Sequence, residues 1–160
     1  MTMKVIKPTV ITDAMFVSST IPETDYTAWN AATSYTVGQK VMRGVTGIHR
    51  NFENLIAGVD ATLPELATTG ATPRWLDLGA TNRWAMFDNK VGTVSSASTS
   101  FNTVLTPGSI SGVAALGLTG RTLQIQMKNT VGGTVVYSNT VNLDGTIVTS
   151  FYDWFYEDYQ

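Results

Sequence analysis

The chain has 160 residues, 43% of them hydrophobic and only 14% charged, with a net charge of −2. That is enough for one domain or two small ones, and with no basic excess to neutralise phosphates, nucleic acid is excluded as a partner on electrostatic grounds. There is no cysteine, so disulfides, thiol nucleophiles and thiolate metal sites are excluded as well.

Met1–Pro8 lacks the apolar core of a secretory signal. No run approaches the roughly 20 apolar residues that span a bilayer, so membrane insertion is not expected. In residues 1–25, Thr9-Val10-Ile11-Thr12 is a β-branched patch between Pro8 and Asp13. It predicts either a leading strand followed by a loop, or an arm lying on a neighbour.

Residues 26–80 alternate short strand-like pieces with turns. Tyr35-Thr36-Val37 precedes Gly38, and Lys40–Arg43 follows it. Gly44 and Gly47 mark a hairpin whose returning strand is Ile48–Asn54. Strict alternation puts Ile48, Arg50, Phe52 and Asn54 on one face and His49, Asn51 and Glu53 on the other. From Gly58 to Pro73 the chain is broken by prolines and Gly70, and reads as a long loop anchored by Trp75-Leu76.

Residues 81–160 turn rich in Ser, Thr and Gly. Strand candidates recur at Ser100–Leu105, Val113–Leu118, Thr122–Lys128, Thr134–Ser138 and Gly145–Val148. Thr122–Lys128 alternates apolar and polar strictly, the pattern of a strand with one wet face. The expected fold class is all-β: a small twisted β module followed by a jelly-roll-like β-sandwich. The second sheet is short of strands, which leaves a partner or residues beyond Gln160 to complete it. The end of the chain, Phe151–Gln160, holds six aromatics and three acids. So much apolar surface is expected to pack on its own sandwich or on another subunit.

No catalytic, metal-ligating or cofactor-binding residue is assigned. His49 is the one histidine and reads as an exposed strand residue. Asp153, Glu157 and Asp158 read as a solvated acidic rim rather than a glycosidase pair. Asp77 and Asp88 are expected to pair with Arg74 or Arg83. Trp29, Tyr35, Phe52 and Trp75 read either as a sugar-stacking surface or as the core of the small module. A module of this size needs its large apolar groups inside, which favours the core for Tyr35 and Trp75 and leaves Trp29 as the exposed ring.

Trp29-x5-Tyr35-x2-Gly38-x2-Val41, followed by Phe52, Pro64 and Trp75, resembles the small chitin-binding modules of bacterial chitinases. Their exposed aromatic pair after the Phe52 position is replaced here by Glu53-Asn54-Leu55-Ile56-Ala57-Gly58. The whole chain resembles a class of tailed-bacteriophage virion proteins, in which such a module is followed by a Thr-Asn-Arg-Trp-Ala-Met-Phe-Asp junction, here Thr81–Asp88, and a β-sandwich. Pro107-Gly108-Ser109-Ile110 and Ala115-Leu116-Gly117-Leu118 add to the likeness.

The resemblance implies a non-enzymatic tail, baseplate or fibre-attachment subunit of the virion. It would bind other virion proteins and copies of itself, with a trimer as the natural symmetry. Assembly contacts are then expected at Arg83, Trp84 and Phe87, and at Phe151, Trp154, Phe155 and Tyr156. One alternative is a carbohydrate-binding module gripping host glycan through Trp29, Tyr35, His49 and Trp75. A further alternative is a head or neck decoration protein.

Overall fold

In the computed structural model, which describes residues 8–45 and 47–143, the chain is all-β. The helical segments among the described residues are single 3-10 turns at Asp13–Met15, Pro64–Leu66 and Ala85–Phe87. The strands form several small sheets, an arrangement compatible with a β-sandwich. The chain divides into two compact units, residues 1–112 and 113–160.

In the first unit, β2 (Thr27–Ala28), β4 (Lys40–Arg43), β5 (Arg50–Asn54) and β7 (Trp75–Ala80) form a four-stranded sheet in the order β2-β4-β5-β7. β2 runs parallel to β4, and the other pairings are antiparallel. β3 (Ser34–Tyr35) pairs with β6 (Gly58–Val59), and β1 (Phe16–Ser19) with β8 (Thr103–Leu105).

The β4–β5 register explains the core. Val41 sits opposite Phe52, and Lys40 opposite Glu53. Period-2 alternation therefore sends the apolar pair inward and the ion pair (3.8 Å) outward. Val41 and Phe52 meet Tyr35 and Trp75, with Trp29, Val45 and Ala67 packed against them. Trp75 is 0% exposed and meets Tyr35 edge-on, centroids 5.3 Å apart. The Tyr35 hydroxyl accepts from the Asn30 N–H at 2.7 Å, so its polar end is satisfied at the rim.

The long loop is anchored as the prolines and Trp75 suggest, but by backbone. Arg74 and Trp75 both donate their N–H groups to the Ala67 carbonyl, at 2.9 and 3.1 Å. Arg43 Nε donates to Glu65 at 2.7 Å and ties the Pro64–Leu66 turn to β4. Only half of the expected anchor is inside, because Leu76 is exposed.

Several expectations need correction. Thr9–Thr12 is not a strand. Met15 and Phe16 both donate to the Thr12 carbonyl, which closes a 3-10 turn and postpones the strand to Phe16–Ser19. That strand pairs with β8 of its own chain rather than with a neighbour. Asn51 is buried as well as Phe52 and Asn54, because its own face of β5 is covered where it donates to Asp25 at 3.0 Å. β7 carries a bulge. Asn51 faces Gly79 while Phe52 faces Asp77, so Leu78 is the extra residue, and Gly79 at φ 104° supplies the positive φ.

Val113–Leu118 is exposed and forms no strand, while Ser100–Leu105 shortens to Thr103–Leu105. In the second unit, β9 (Thr122–Lys128) pairs antiparallel with β10 (Val135–Asn142), the latter longer than expected. The expected strand at Gly145–Val148 and the assembly residues Phe151, Trp154, Phe155 and Tyr156 lie outside the described residues.

Candidate functional site

The densest polar-aromatic assembly among the described residues is the Thr81–Asp88 junction with the segments it gathers. β5 and β7 bring the start of one strand beside the end of the other, and the Thr81 N–H donates to the His49 carbonyl at 2.9 Å. The Thr81 carbonyl then accepts from the N–H groups of both Trp84 and Ala85, each at 2.9 Å, which turns the chain into the Ala85–Phe87 3-10 turn. This tight reversal drives the Trp84 ring inward, to 2% exposure. Trp84 stacks on Phe16 at 4.9 Å and on His49 at 4.7 Å, and Phe87 meets both Trp84 and Phe16 edge-on.

Around this aromatic stack runs a charged network. Glu23 accepts from His49 Nδ1 (2.7 Å) and the Thr81 hydroxyl (3.0 Å) on one oxygen, and from Arg83 (3.4 Å) on the other. His49 Nε2 lies 2.9 Å from Asp13. Each ring nitrogen therefore faces a carboxylate, and a neutral imidazole can donate to only one of them. Arg83 Nε also donates to the Ile21 carbonyl at 2.8 Å. Asp25 accepts from Asn51 (3.0 Å) and from the Asn82 N–H (2.8 Å). Asn82 exchanges two hydrogen bonds with the backbone of Ser96.

This constellation locks together segments far apart in sequence. The side chain of His49 has both nitrogens engaged by carboxylates, and the Thr81 hydroxyl donates a hydrogen bond to Glu23. One expectation is thereby corrected: His49 is half-buried under Trp84 rather than exposed on a strand. Of the residues expected to make assembly contacts, Trp84 is buried within its own chain, and Arg83 and Phe87 are partly buried with partners there. Arg83 does bind a carboxylate, but it is Glu23 of the same chain.

The expected sugar face does not assemble. Tyr35 and Trp75 are core residues, as a small module requires, and His49 belongs to the other aromatic cluster. Trp29 packs against the core and carries the Arg43 guanidinium over its ring, 5.3 Å from the centroid. No flat face shared by the four residues is left for a pyranose ring.

The expected ion pairs are also redistributed. Asp77 holds Arg50, with contacts of 2.7–3.0 Å, across the β5–β7 ladder. Arg74 holds Asp60 at 3.2 Å. Asp88 caps its own loop, accepting from the Lys90 N–H and the Thr93 hydroxyl. Nothing in the sequence order marks these partners, because register and loop closure choose them.

The Asp60 carboxyl is held below its ordinary range. The Thr62 N–H does most of this, with the Thr62 hydroxyl and the Arg74 charge adding to it against the opposing effect of burial. A lowered folded-state value means that Asp60 stabilises the fold above the ordinary aspartate range and loses that contribution as pH falls through its folded value. Asp60→Asn should therefore flatten the acid limb of a melting-temperature profile below about pH 4. A limb as steep as the parent's would remove Asp60 from the acid response.

Comparison with protein-family models, curated proteins and solved structures finds no match to this chain.

Proposed function

We propose that the chain is a structural subunit that works by protein–protein assembly, of the kind found in tailed-phage tails, baseplates or fibre attachments. The observation that carries the assembly reading is β7. Among the described residues it is an edge strand of the four-stranded sheet, and its Leu76 and Leu78 are 48% and 40% exposed. An open edge with apolar side chains is a template for another strand, which proteins ordinarily blunt with charge or proline. The low charge of the chain supports the same reading, since few charged groups must be desolvated when such a surface is covered. The virion setting rests on the sequence resemblance carried by Trp75–Asp88.

The test is Leu76→Glu/Leu78→Glu. Both side chains are exposed, so the isolated fold should keep its stability within about 0.5 kcal/mol. Self-association, read by light scattering across a concentration series, and uptake into particles should fall at least tenfold. Unchanged association would remove β7 as the assembly edge. Labelling of intact particles with an antibody to the chain tests the virion setting separately.

A further inference from the structure

The stretch that joins the two units is tied at its ends and nowhere between. The Thr106 N–H donates to the Met15 carbonyl at 2.7 Å, and the Arg121 carbonyl accepts from the Leu143 N–H at 2.9 Å. Between these ties, Pro107–Gly120 makes no backbone hydrogen bond among the described residues. Every residue from Ser111 to Thr122 is exposed. A run of more than about 12–15 residues without secondary structure is uncommon inside a compact protein and is ordinarily a functional loop or a linker. Val113–Leu118 has the composition of a strand, yet its backbone enters no ladder among the described residues.

We infer that Val113–Leu118 is a cleavage site for an endopeptidase with an apolar primary pocket, which cuts after Leu116 or Leu118. A protease takes several consecutive residues into its cleft, so it selects segments whose backbone is open and not engaged in hydrogen bonds of its own. Leu116 is 89% exposed, and its side chain suits a hydrophobic slot of the chymotrypsin kind. Ala114, Ala115 and Gly117 place no bulk beside it, and no charge or proline lies between Gly108 and Gly120. Hydrolysis adds one water across the Leu116–Gly117 or Leu118–Thr119 amide. The C–N bond breaks, the leucine keeps a new carboxylate and the following residue a new amine.

The other exposed leucines among the described residues are held. The Leu55 N–H donates to the Arg74 carbonyl at 2.8 Å and the Leu66 N–H to the Leu63 carbonyl at 3.0 Å, while Leu76 and Leu78 lie in β7. Phe101 is exposed, but Asn102 beside it exchanges two hydrogen bonds with Thr20. Cutting at any of these needs a local opening first, and the rate falls with the rarity of the open form.

A cut after Leu116 or Leu118 spares the pairings on both sides. β1–β8, β3–β6 and the four-stranded sheet all lie before residue 113, and β9–β10 lies after residue 118. It therefore breaks the covalent link between the units while the first keeps its strands, β7 included. This holds whether or not β7 is an assembly edge.

Brief digestion of the full chain with chymotrypsin, read by intact mass, is the test. Among the bonds of residues 8–143, those after Leu116 and Leu118 should be cut at least a hundredfold faster than any other. The fragment that ends there should melt within about 2 °C of the first unit in the uncut chain. Leu116→Asp/Leu118→Asp changes two exposed side chains; it should slow cleavage at these bonds at least tenfold and leave the circular dichroism spectrum unchanged. A first cut elsewhere in residues 8–143, a rate that the double substitution does not alter, or loss of the first unit's melting transition after cleavage would overturn the proposal.

Discussion

Trp84→Ala should cost the first unit about 3–5 kcal/mol, the range for emptying a buried large aromatic site. For a unit of this length that is a fall of roughly 15–25 °C in melting temperature. The size follows from what the ring touches: Phe16 on β1, His49 at the entry to β5, and Phe87 in the following 3-10 turn. Removing it opens a cavity between these three segments. Trp84→Phe should recover much of the loss, since the buried indole Nε1 has no hydrogen-bond partner among the described residues. Calorimetry on the three proteins decides the matter. A drop of less than 5 °C for the alanine variant would mean that the junction is held by its hydrogen bonds alone.

Glu23→Ala should cost about 2–4 kcal/mol, because it withdraws the acceptor from His49, Thr81 and Arg83 at once. Glu23 joins the loop after β1 to His49, just before β5, and to the junction, alongside Asp25, which meets Asn51 and Asn82. The decisive measurement is a double-mutant cycle with His49→Ala. Coupling of about 1–3 kcal/mol is expected for groups sharing one network. Additive losses would show that His49 is held by Trp84 and Asp13 without help from Glu23.

The two predictions describe one device. The aromatic stack supplies the buried area, and the carboxylates of Asp13, Glu23 and Asp25 fix which segments cover it. If β7 is the assembly edge, this device is what keeps that edge in place, since Thr81 follows directly on β7 and is hydrogen-bonded from both sides. Loss of the junction should therefore weaken assembly without touching a single residue of the contact.

Elements set by local pattern were legible. The strict alternation of Thr122–Lys128 is realised as β9, and Lys40–Arg43, bounded by Gly38 and Gly44, as β4. Trp75 and Tyr35 could be placed in a core because so small a module has nowhere else to put them. The junction was visible as a dense polar-aromatic cluster, yet its direction was not. The sequence marks Arg83 and Trp84 as contacts for a neighbour and offers Asp77 or Asp88 to Arg83, whereas the carboxylate Arg83 meets is Glu23, about 60 residues earlier. His49 looked exposed for the same reason. The acids that engage it are at positions 13 and 23, too far along the chain for any window of alternation to contain them.

By itself, then, the order of residues determined that the chain would be β-rich, free of disulfides, sparing in charge and built around a few large rings, because these follow from composition and from a period of two. Only the tertiary structure decided which rings share a cluster, which acid meets which base, and that β1 closes on β8 more than 80 residues later. Those are matters of long-range register and loop closure. They are fixed when separate segments meet, as where Asp25 comes to cover Asn51 on β5.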